Sequence, residues 1–192
     1  MNYPIIEKYV FELLKNGLSD SLHYHGLHHT VEVIENSVEI AKHEGVSGND
    51  LNLLKLAALF HDIGFLDLYG GHEEISCQMA KEILPNYNIS NNEIDVICGM
   101  IMATKIPQKP KTLLEKILAD ADLLYLGTDE FLKIGNTLFK ELLENDKIKD
   151  ERAWNKVQES FLKKHHFHTN YCKANYSKLK EKNLTKVVEW LN

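Results

Sequence analysis

The run Leu51–Phe60, LNLLKLAALF, is apolar on nearly every side and ends on His61 and Asp62. A segment with no polar face has no place at a surface, so it predicts the buried central helix of a packed core. The two side chains that follow constrain the chain further. Ionisable groups at the end of a buried helix need a partner or a metal. Neighbours along a regular helix point in different directions, but at a helix end the backbone relaxes and both can turn toward one ion.

The remainder of the 192 residues reads as helix after helix around that centre. Ile5, Ile6, Tyr9, Val10, Leu13 and Leu14 recur at helical spacing until Asn16-Gly17 stops them. Helical patterns follow over His28–Glu44, Glu73–Leu84, Asn92–Ala103, Leu113–Leu126, Asp129–Asn145, Arg152–His165 and about Ser177–Leu191. Gly45 to Gly48 reads as a turn, with Asn49 or Asp50 capping the central helix and Gly64 supplying left-handed backbone after it. Thr104 to Lys111, TKIPQKPK, has two prolines and no periodicity and reads as a surface loop. With no alternation at period two, the expectation is an all-α fold in a single domain spanning 1–192. Residues of about 22–127 carry the motifs, and the helices of 128–192 pack on them.

Charge and cysteine usage exclude several function classes. Lys and Arg number 22 against 28 Asp and Glu, for a net charge of −6, which argues against a broad nucleic-acid footprint. No run approaches the roughly 20 apolar residues of a bilayer span. Met1-Asn2-Tyr3-Pro4 lacks the pattern of a signal peptide, and Cys77, Cys98 and Cys172 form no CxxC. A cytoplasmic protein with reduced thiols is expected, a monomer or homodimer with no nucleic-acid or membrane partner.

Ten histidines are spread unevenly, and one of them joins the HD pair and a distant aspartate in one pattern. His29 lies at the start of the second helical pattern, and Asp122 lies in LADADLL, an acidic pair inside an apolar helix. His29, His61, Asp62 and Asp122 form a two-nitrogen, two-oxygen set drawn from three helices. Such a set suits one divalent ion, whether manganese, iron, cobalt, nickel, zinc or magnesium. Water on that ion would be a nucleophile near neutral pH.

At these residues the chain resembles the HD-domain superfamily of metal-dependent phosphohydrolases, whose pattern is H…HD…D on a helical bundle. The matching segments are HHTVEV at His29, ALFHDIGF at His61-Asp62 and LADADLLYLG at Asp122, spaced by 32 and 60 residues. The resemblance implies an HD-like bundle with a metal between helices, the four residues above as its ligands, and hydrolysis of a small phosphoester, nucleotides foremost. Tyr24-His25-x-x-x-His29 is similar to the YHNxxH signature of cyclic-nucleotide phosphodiesterases, with Gly26 in place of Asn. That likeness nominates His25 as general acid or phosphate contact. Gly70-Gly71-His72-Glu73-Glu74-Ile75-Ser76 is similar to the HExxS segment of small stand-alone HD enzymes, nominating His72 and Glu73 to face the water or the phosphate. Asp62 would serve catalysis as well as the metal. Met100 to Lys105 contain no His, so one ion is expected rather than two. Two other readings remain open: a silent metal-binding regulatory protein, and a di-iron HD oxygenase.

Several polar residues read as structural. Asp120 is expected to cap or support rather than to ligate, Asp67 at most to support, and His28 to be solvated. Lys105, Lys109 and Lys111 read as a solvated basic loop. His165, His166 and His168, beside Lys163 and Lys164, read as a solvated helix end. Met100 and Met102 read as core filler, and Cys77 and Cys98 as buried thiols.

Overall fold

Nine α-helices and three 3-10 turns, with no strand, make up residues 2–192, the part of the chain that the computed structural model describes. The apolar run becomes α3 (Gly48–Phe60), in which Leu54, Leu56, Ala57, Ala58, Leu59 and Phe60 have no exposed surface. Around it stand α1 (Tyr3–Gly17), α2 (Leu27–His43), α5 (Asn91–Thr104) and α6 (Leu113–Asp122). The core contributions of these four include Ile6 and Val10, Val33 and Ile40, Ile97 and Ile101, and Ile117 and Leu118. Between α3 and α5 in the chain lies α4 (His72–Ile83), which packs on α5. The C-terminal part comprises α7 (Phe131–Glu144), α8 (Glu151–Lys164) and α9 (Asn170–Leu191). It packs on the first part through a second apolar cluster of Tyr24, Tyr125, Leu126, Phe131, Leu162 and Val187.

The boundaries follow local chemistry. Capping boxes start α5 at Ser90 with Glu93 and α6 at Thr112 with Glu115, each satisfying backbone donors that the helix leaves free. Three boundaries differ from the sequence expectation. The central helix begins after Ser47, and neither Asn49 nor Asp50 caps it with a side chain. The sixth helix stops at Asp122 rather than Leu126, and Leu124–Gly127 form a 3-10 turn. The last helix starts at Asn170, seven positions before Ser177, because Thr169 Oγ accepts a hydrogen bond from the Cys172 N–H and caps it there.

Gly64 has a different role from the one expected. Its backbone is not left-handed; the glycines with positive φ are Gly45, Gly48 and Gly71. It is needed for space, since a Cβ on Gly64 would lie 2.1 Å from the carbonyl oxygen of His72. Its N–H donates to Ser76 Oγ at 2.9 Å, so the turn after the HD pair is locked to the first turns of α4. Gly64→Ala is therefore expected to displace the start of α4 and to destabilise the protein by about 2–4 kcal/mol. A urea midpoint within error of wild type would contradict this packing.

Candidate metal and active site

Each ligand candidate sits where a helix begins or ends. His29 occupies the first turn of α2, after Gly26 in extended conformation. His61 is the last residue with helical dihedrals after α3, and Asp62 (φ −111°, ψ 6°) has already left the helix. That break turns both side chains to one point, as the position of the pair predicts. Asp122 ends α6 in the same way. The C-termini of α3 and α6 thus carry their partial negative charge to the same place, which favours a cation.

The geometry is compact. His29 Nε2 lies 3.1 Å from Asp122 Oδ1 and 3.4 Å from His61 Nε2. One ligand atom each from His29, His61 and Asp122 falls within 4.8 Å of the others, close enough to share an ion. Asp62 is not in that triple, yet its Oδ2 is 3.2 Å from His61 Nε2 and 3.6 Å from His29 Nε2. The His61 Nδ1–H donates to the Ala58 carbonyl at 2.7 Å, which fixes the ring and leaves Nε2 for the site. The residues fit a divalent cation on one observation above all. Asp62 Oδ2 is buried without a hydrogen-bond partner, and two imidazole nitrogens converge beside it. Buried charge of that kind calls for a counter-ion.

Protonation follows from these contacts. Burial pushes the His61 imidazole down, but Asp62 and Asp122 outweigh it and hold the pKa well above its ordinary value. Burial likewise raises Asp122, but hydrogen bonds from His29 and His61 pull its pKa to about 2. His61 therefore carries a proton at neutral pH in the metal-free protein, and ligation must displace it. Affinity for Mn²⁺ is expected to rise with pH, with proton release seen by calorimetry in buffers of different ionisation enthalpy. Binding without proton release would show that the His61 ring is already neutral in the metal-free protein.

The other candidates surround this centre. His72 Nε2 is 3.4 Å from Asp62 Oδ1 and 3.6 Å from Glu73 Oε1, and Glu73 is buried. Burial lowers the His72 pKa, but the hydrogen bond and charge of Asp62 outweigh it, so the net shift is upward. The His25 ring stacks on Phe65 at 4.2 Å, and His72 stacks on the same ring at 4.1 Å. His25, Asp62, His72, Glu73 and Asp122 line one end of a cavity of about 330 Å³.

Sequence reasoning passed over Glu141. Fully buried on α7, it accepts from the N–H groups of Tyr24 (2.8 Å) and His25 (3.0 Å), from His25 Nδ1 (2.5 Å) and from the Tyr69 hydroxyl (2.9 Å). Burial raises its pKa, but the His25 hydrogen bond outweighs this and keeps it ionised. A signal was present: Phe131, Ile134, Leu138 and Glu141 share one helical face, and a lone carboxylate on an apolar stripe needs partners.

The remaining assignments divide. Asp120 supports the fold, accepting from the backbone N–H groups of His168 and Thr169 and from Thr169 Oγ. Asp67 and His28 are exposed, Lys105 pairs with Glu74, and Cys77 and Cys98 are buried. Met100 is core, whereas Met102 is exposed, because α5 turns that face outward. The His165–His168 segment is not a solvated helix end. α8 stops at Lys164, Phe167 is buried, and both ring nitrogens of His165 are buried without partners, with the pKa pushed down to about 3 by burial.

Comparisons with known proteins agree with this geometry. The HD domain family model matches residues 26–126, which contain His29, His61, Asp62 and Asp122. The fold is similar to the crystal structure of a predicted HD superfamily hydrolase from an uncultured Thermotogales bacterium. The TM-score is 0.60 at 23% identity, over 100% of this chain and 95% of that one. No curated protein matches. With the family model covering more than half of its length, the chain belongs to the HD-domain family.

Proposed function

We propose that the protein is a metal-dependent phosphohydrolase of HD type that cleaves a small phosphoester. The observation that carries this reading is the convergence of His29, His61, Asp62 and Asp122 at the end of a cavity also lined by His25, His72 and Glu73. A divalent cation bound there supplies Lewis acidity to a phosphoryl oxygen and lowers the pKa of water. The side chains provide the rest. His72, raised toward its cationic form by Asp62, holds phosphate charge at the N-terminus of α4, which itself favours anions. Glu73 accepts a hydrogen bond from the attacking water and takes its proton as the new bond to phosphorus forms. His25, held through Nδ1 by Glu141, has Nε2 left for the leaving oxygen and protonates it. Water oxygen ends on phosphorus, the ester P–O bond breaks, and the alcohol departs with the proton. The three buried free thiols suit a reducing compartment, supporting a cytoplasmic place for this reaction.

The test is phosphate or alcohol release from nucleoside mono-, di- and triphosphates, cyclic nucleotides and simple phosphomonoesters, with Mn²⁺ and again after chelation. Turnover that chelator removes and Mn²⁺ restores is expected. Silence across the panel with metal bound would shift the reading to a metal-binding regulatory protein. Nucleotides head the panel because the family resemblance implies them.

A further inference from the structure

The cavity is polar at one end only. Away from the metal ligands its walls are Leu126, Phe131, Leu138, Trp154, Phe161 and Leu162, supplied by the turn after α6 and by α7 and α8. Reading a base edge takes several placed donors and acceptors. Few polar groups line this part: Tyr125, Gln158, one of whose two amide N–H groups goes to Asn155 Oδ1, and Trp154, whose Nε1–H is buried without a partner. Trp154 is only 5% exposed, so its N–H is left for at most one acceptor on a ligand. At about 330 Å³ the cavity lies at the small end of ligand pockets, which run from about 300 to 1,000 Å³.

We propose that the substrate is the phosphate monoester of a compact apolar alcohol, with the phosphate at His25, His72 and the metal ligands and the alkyl or aryl group between α7 and α8. This rests on the phosphohydrolase reading and replaces its nucleotide expectation with a different leaving group. Selectivity then lies in the C-terminal helices, outside the family-matched residues 26–126.

The experiment has a hydrolysis arm and a binding arm. In the first, kcat/KM is measured for straight-chain alkyl phosphates of increasing length and for nucleoside 5′-monophosphates. The expected gain is about fourfold per methylene until the cavity is full, and a plateau after it. In the second, non-hydrolysable alkyl phosphonates are titrated in the presence of Mg²⁺ into Trp190→Phe protein. Trp154 is then the sole indole, and its emission should report affinity with the same slope. Val157 lines the cavity while 48% exposed, so Val157→Lys is tolerated by the fold and should flatten both slopes. A nucleotide turned over better than every alkyl phosphate overturns the proposal and leaves the phosphohydrolase reading standing. A flat phosphonate series, or a slope unchanged by Val157→Lys, overturns it as well. Phosphonates that bind with the expected slope while no phosphoester is cleaved would uphold the ligand class and reject the hydrolase.

Discussion

Asp122→Ala is expected to lose phosphoester hydrolysis by on the order of 10³-fold or more and to purify with little bound metal. The size follows from what the ion supplies, several kcal/mol of transition-state stabilisation, at about 1.4 kcal/mol per factor of ten. The carboxylate sits 3.1 Å from His29 Nε2 and 3.7 Å from His61 Nε2, so its removal leaves two imidazoles facing each other beside Asp62 alone. Asp122→Asn separates charge from shape, because it keeps the volume and an acceptor oxygen at the end of α6. Both variants should retain the helical circular dichroism of wild type, and metal content per chain should fall with activity. Normal metal content with normal turnover in Asp122→Asn would remove this residue from the ligand set.

Glu141→Ala is expected to be the most destabilising single change outside the metal centre. Truncation strands two buried N–H groups, one ring N–H and one hydroxyl that now donate to the same carboxylate. Breaking a buried charged network in this way costs about 3–5 kcal/mol. In a domain of this size that corresponds to a melting temperature lower by roughly 10 °C. Glu141→Gln should recover much of the stability, since an amide oxygen still accepts, but not the activity. Without the carboxylate the His25 ring loses the charge that holds its Nδ1 proton, and a loss in kcat of about 10²-fold is expected from a misheld acid. A Gln variant with wild-type kcat would reduce Glu141 to a purely structural role.

How far this site was legible in the sequence depended on the range of the interactions. The HD pair announces itself locally, because an apolar run and two ionisable groups occur side by side. His29 and Asp122 were legible through pattern, and they do converge on the pair. Glu141 was passed over because its reason for existing is the N–H groups of Tyr24 and His25, which no window around α7 contains. Gly64 shows a subtler failure. A glycine after a helix suggests left-handed backbone, but the cause is the His72 carbonyl, which arrives from the next helix. The His165 segment misled for a similar reason: four polar residues in a row, Lys163 to His166, look solvated, whereas Phe167 and Lys180, whose ammonium donates to the Leu162 carbonyl, draw the segment inward.

The separation of 116 residues between His25 and Glu141 has a consequence for the nascent chain. Every metal-ligand candidate has been synthesised once Asp122 is added, and at roughly 5–20 residues per second Glu141 follows within about one to four seconds. In that interval the metal-ligand candidates are present while the His25 ring has no carboxylate to orient it. A chain stopped before α7 is therefore expected to bind metal without turning over a phosphoester. Competence waits on α7, the helix that brings Glu141.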